Sequence, residues 1–129
     1  MWSFKNGIPI YLQIISQFKD AILRGQYPPG QRIPSVRQLA VEAGVNPNTL
    51  MRALAALEQE GILIAERTSG KYVTSDQEKL QALRKERALL LISSCLSGLQ
   101  SLGLDPSQCR VLFLDALENN DEKGITHDD

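Results

Sequence analysis

The chemistry in this sequence is concentrated in five side chains between residues 37 and 52: Arg37, Asn46, Asn48, Thr49 and Arg52. An asparagine amide donates and accepts side by side, as the groove edge of adenine requires. A guanidinium matches guanine or phosphate, and a threonine can donate or meet a thymine methyl. Arg37 falls in the first turn of an expected helix, where the helix dipole disfavours a cation, and an anionic partner would account for it. Ser35 either touches a phosphate or only caps that helix. Asn46 is explained as well by capping as by base contact, whereas Asn48 and Arg52 have no such structural role. A second group, Arg67, Gly70 and Lys71, sets a backbone without a side chain between two cations. It reads either as a strip against a phosphate backbone or as an ordinary hairpin turn with flanking charges.

The elements that must position these residues can be read from local signals. Tyr11, Ile14, Ile15, Phe18 and Ile22 recur at helical spacing up to Gly25, which predicts a helix over residues 9–24. Pro28-Pro29-Gly30 makes a turn. Ser35 and Gln38 have the spacing of a reciprocal capping box, which opens a short helix that Gly44 closes. Asn46 as cap and Pro47 at the first helical position open the next one, with Leu50, Ala53, Leu54 and Leu57 as its buried stripe and Gly61 as its end. Two short helices joined by Gly-Val-Asn form a helix-turn-helix. Residues 62–67 and 71–74, flanking Thr68-Ser69-Gly70, read as a hairpin. The expected fold is therefore mainly α with a small β-hairpin, a winged helix-turn-helix over residues 1–75.

From Asp76 the texture changes. Leu80, Leu83, Ala88, Leu91, Ile92, Cys95, Leu99 and Leu102 predict a long helix over residues 77–102, ended by Gly103. Asp105-Pro106-Ser107-Gln108 opens a further helix to about residue 117, apolar on nearly every side and so in need of cover on more than one face. We expect residues 76–118 to be a two-helix C-terminal dimerisation tail, its pairing face carried by Leu91, Cys95, Leu99, Leu102, Leu112, Phe113 and Leu117. Residues 119–129 read as a disordered acidic tail.

Composition bounds the function classes. Hydrophobic residues make up 43% of the 129, enough for one modest domain and a helical appendage. Residues 1–75 hold eight Lys/Arg against five Asp/Glu, and residues 76–129 hold six against ten. A basic front joined to an acidic back suits a module that faces a polyanion. Met1–Lys5 lacks the features of a secretory signal and no apolar run could span a bilayer, so the expected location is cytoplasmic, without a membrane. Cys95 and Cys109 share no metal-ligand spacing, and His127, the single histidine, stands in the polar tail. No metal, cofactor or enzymatic activity is expected, and both cysteines read as reduced, buried packing residues.

Taken together, Tyr11-x-x-Ile14, Ile22-x-x-Gly25, Pro29-Gly30, Ile33-Pro34-Ser35-Val36-Arg37-Gln38-Leu39-Ala40, Gly44-Val45-Asn46-Pro47-Asn48-Thr49 and Leu57-Glu58-x-Glu60-Gly61 resemble the N-terminal module of the GntR family of transcription regulators. Arg67–Val73 resembles that family's closing wing. The motifs are ordered, correctly spaced and specific. The resemblance implies a winged-helix repressor whose operator contacts fall on Arg37, Asn46, Asn48, Thr49, Arg52 and Gly70. Pro47 and Met51 stand where arginine is frequent in the family, Thr68 where a wing glycine is frequent, and Glu66 where a basic residue is frequent. Operator sequence is therefore not transferable. The Val-Asn-Pro-Asn-Thr form and the short tail are similar to the YtrA subgroup, which implies a helical dimerisation tail and control of transporter genes.

The expected partners are double-stranded operator DNA with a palindromic site and a second copy of the chain. The residues identify no small-molecule effector. The competing reading is a winged-helix adaptor that docks on proteins without touching DNA.

Overall fold

The computed structural model describes residues 2–123. Contacts divide the chain into two units, residues 1–87 and 88–129. The N-terminal unit contains α1 (Ile10–Leu23), α2 (Val36–Ala43), α3 (Pro47–Gln59), β1 (Leu63–Glu66), β2 (Gly70–Val73) and the start of α4 (Gln77–Ser101).

The helix starts follow the local chemistry. The Ser35 hydroxyl accepts from the backbone N–H of Gln38 at 3.1 Å, and the Asn46 side chain accepts from the N–H of Asn48 at 2.8 Å. Gly44 closes α2 in the left-handed conformation at φ 68°, which glycine adopts without the penalty of a Cβ and which permits the abrupt turn into α3. The reciprocal half of the box expected at Ser35 does not form. The Gln38 amide turns instead to the Glu42 carboxylate at 3.5 Å, its i+4 neighbour on the exposed face.

The apolar stripes meet in one core. Ile14 and Phe18 of α1, Leu39 of α2, and Leu50, Ala53, Leu54 and Leu57 of α3 are all fully buried. Phe18 stacks on Tyr27 with ring centroids 4.7 Å apart. Lys19 is buried within the same unit, its ammonium 2.9 Å from Glu60 at the end of α3 and 3.9 Å from Glu86. A buried charge needs such partners to offset its lost hydration.

β1 and β2 pair antiparallel from Leu63 opposite Val73 to Glu66 opposite Gly70. Residues 30–33 line the other edge of β2. Gly30 donates to Val73 at 2.8 Å, Val73 to Gln31 at 2.9 Å and Ile33 to Lys71 at 2.9 Å. The segment between α1 and α2, expected as a plain turn, therefore anchors the hairpin.

The N-terminal unit also reaches further than residue 75. Leu80 and Leu83 of α4 are buried in its core, and the Arg87 guanidinium donates to the Asp20 carboxylate at 2.7 and 3.0 Å. This bidentate pair holds the guanidinium above its ordinary pKa, mainly through the hydrogen bonds it donates to Asp20. The charged first turns of α4 are thus part of the winged domain, because they carry its last two core leucines.

The second unit holds the rest of α4 and α5 (Pro106–Lys123). Here the reciprocal capping box does form. Gln108 N–H donates to Asp105 Oδ1 at 2.9 Å, and Gln108 Oε1 accepts from the N–H of Asp105 at 2.9 Å. α5 continues through residues 119–123, expected to be disordered, since neither glycine nor proline interrupts it before Gly124. Residues 124–129, with His127, lie outside the described residues. Cys109 is buried as expected, but Cys95 is exposed. No helix of the described residues is long and apolar enough to cross a membrane.

Candidate nucleic-acid interface

The start of α3 displays its polar side chains on the side opposite its core leucines. Asn46, Asn48 and Arg52 are exposed and Thr49 is half-buried, while Leu50 and Leu54 are inaccessible to solvent. Asn48 and Arg52 are therefore free to meet a groove. Met51, 53% exposed, adds an apolar surface beside them. Arg37 projects from the first turn of α2 and is exposed. Among the described residues no ion pair involves Arg37, Arg52 or Arg67.

The Arg52 guanidinium is not loose. Its Cζ lies 3.7 Å from the centroid of the Tyr11 ring, on the first turn of α1. The helical spacing of Tyr11 assigns it to the core stripe and gives no sign of this second role.

Ser35, Gly70 and Lys71 come together in a cleft of about 200 Å³ whose walls also include Arg32 and Leu54. Ser35 caps α2, and its exposed side chain leaves the cleft mouth polar. Gly70 has a physical requirement of its own. Its φ is +112°, and a Cβ there would fall 2.8 Å from Nε of Arg32. The missing side chain makes room for an arginine of this same chain, whichever surface approaches from outside. Arg32 is exposed and was not among the expected contacts. The only sequence signal for it is a cation directly before Ile33-Pro34-Ser35.

Lys71, expected beside the DNA backbone, has a partner within the chain. Its ammonium is ion-paired with Glu58 of α3, so its charge braces the hairpin against the helix. Arg67, expected at the end of the first strand, falls in the turn after β1 and is exposed.

Two short helices with an exposed polar edge, followed by a hairpin anchored beside them, define a winged helix-turn-helix protein. Residues 10–73 match the model of the gntR family of bacterial regulatory proteins. The HTH-type transcriptional repressor YtrA of Bacillus subtilis is 34% identical over 102 residues, covering 74% of this chain and 78% of that protein. A GntR family transcriptional regulator from Listeria monocytogenes superposes with a TM-score of 0.77 at 33% identity, covering 87% of this chain and 98% of that one. AraR(DBD) in complex with operator ORX1 superposes with a TM-score of 0.53 at 25% identity, covering 57% of this chain and 95% of that one. The chain belongs to the gntR family of bacterial regulatory proteins and is similar to YtrA within it.

Proposed function

We propose that the protein is a dimeric, cytoplasmic transcriptional repressor that binds a palindromic operator. α3 enters the major groove with Asn46, Asn48, Thr49 and Arg52 at base edges, and Ser35, Arg37 and Arg67 meet the phosphate backbone beside the hairpin. The observation that carries this reading is the exposure of Asn48 and Arg52 on a helix whose opposite side is wholly buried. Two relatives support its two halves: YtrA is a repressor, and AraR(DBD) is seen on an operator.

The dimer is supported by the second unit. Leu91, Leu102 and Leu117 are 72%, 76% and 59% exposed in the single chain, and Leu112 and Cys95 are exposed with them. Leu99 and Phe113 are half-buried. Soluble proteins rarely leave such a run of leucines in water, and a second copy offers the same surface in return. Pairing by a two-fold axis would set two α3 helices against half-sites about 34 Å apart, one turn of duplex.

The test is binding to a duplex that the full-length protein selects from a randomised pool. A bidentate base contact such as that of Arg52 is worth about 1–3 kcal/mol and the Arg37 phosphate contact adds to it, so Arg37→Ala with Arg52→Ala should weaken binding by at least about tenfold. Wild-type binding should also fall steeply with salt. Undiminished binding by the double variant would remove the assignment. Failure of the wild type to enrich any duplex would favour the adaptor reading.

A further inference from the structure

Resting on that assignment of Arg52, we infer that Tyr11 is a positioning residue that sets the selectivity of the reading helix by holding Arg52 from beneath. Tyr11 is half-buried and packs against the core, so its ring is fixed by the fold rather than by its partner. Arg52 is exposed, and its Cζ stands 3.7 Å above the ring centroid, within the range of a cation–π contact. No described carboxylate is ion-paired with Arg52. The four ion pairs in the described residues join Lys19 to Glu60 and Glu86, Lys71 to Glu58, and Arg87 to Asp20.

The choice of an aromatic ring over a carboxylate has a chemical consequence. A guanidinium carries its five N–H donors in one plane. A carboxylate would consume two of them and compete with a base or a phosphate for the rest. A ring covers one face and leaves the donor edge open. Tyr11 thus restricts the long Arg52 side chain before any ligand arrives without spending a donor, and less freedom is lost when the ligand binds. The hydroxyl has no part in this, because the contact is with the ring face.

The experiment uses the full-length chain and the duplex selected by the wild type. Dissociation constants are measured for Tyr11→Leu, Tyr11→Phe, Arg52→Ala and the pair Tyr11→Leu with Arg52→Ala, and the selection is repeated with Tyr11→Leu. Tyr11→Leu should weaken binding about two- to fivefold, the range of a solvent-exposed cation–π contact. Tyr11→Phe should retain wild-type affinity, and Tyr11→Leu should cost nothing further once Arg52 is alanine. The sequences selected by Tyr11→Leu should relax at the base position that Arg52→Ala also relaxes. Additive losses in the double variant, or an unaltered preference with Tyr11→Leu, overturn the inference while leaving the reading helix in place. Wild-type affinity and preference in Arg52→Ala overturn the reading-helix assignment itself. Should Tyr11→Leu fail to fold, the Arg52 Hε resonance of the free wild-type protein decides instead. Ring-current displacement relative to the other arginines upholds the inference, and its absence refutes it.

Discussion

Gly70→Ala separates two reasons for a glycine at the base of the wing. At φ +112° a side chain strains the backbone whatever the surrounding space, at a cost of about 1–3 kcal/mol. The added Cβ would also stand 2.8 Å from Arg32 Nε. That neighbour is near the end of a flexible, exposed side chain and can swing away, so the backbone should account for most of the loss. In a domain of this size the melting temperature should then fall by about 5–15 °C. Trp2 is the chain's single tryptophan and stands 6.3 Å from the fully buried Phe18, so its fluorescence follows unfolding of the winged unit. Denaturant and thermal curves should be taken at one protein concentration, because association would shift the midpoint. Arg32→Ala alone should be nearly neutral, and combined with Gly70→Ala it should recover little. Stability of Gly70→Ala within about 0.5 kcal/mol of wild type would refute the strain argument. Full recovery by Arg32→Ala would show that the collision, not the dihedral angle, excludes a side chain here.

Three further outcomes follow from the same geometry. Ser35→Ala should cost about 1 kcal/mol by uncapping α2. Ser35→Asp should keep the cap and the melting temperature but weaken DNA binding, and equal affinity would place Ser35 away from phosphate. The Asp105 carboxyl is held below its ordinary pKa, first by the hydrogen bond from the Gln108 backbone and then by the Ser107 hydroxyl. Its contribution to the start of α5 is therefore present above the unfolded value and lost as pH falls through the depressed folded one. An NMR titration should place its midpoint below that of ordinary aspartates, and an ordinary midpoint would contradict the cap. Leu91→Glu should give a monomer by light scattering and weaken operator binding, while Trp2 fluorescence still reports a cooperatively folded N-terminal unit. A persistent dimer would show that the pairing face lies elsewhere.

The short helices α2 and α3 are legible in the sequence because their signals are local. Ser35, Gly44, Asn46 and Pro47 act on backbone groups within a few residues of themselves, and the Leu50, Ala53, Leu54, Leu57 stripe needs only helical periodicity to declare its buried side. That periodicity also leaves Asn48 and Arg52 on the outer face. Partner choice is different. Tyr11 beneath Arg52, Glu58 on Lys71, Arg32 against Gly70 and Asp20 on Arg87 join residues far apart in the chain. Neither helical nor strand periodicity encodes such encounters, because they exist only after α1, α3, the hairpin and the start of α4 have packed on one core. The same holds for the extent of the winged unit. Leu80 and Leu83 look like any other apolar positions of a long helix until the core beside α1 is there to bury them. Local hydrogen bonding and periodicity determined which segments became helices and which faces they turned outward. Tertiary packing decided which charges remained free for a ligand, since an ion pair depends on distance in space rather than on position along the chain.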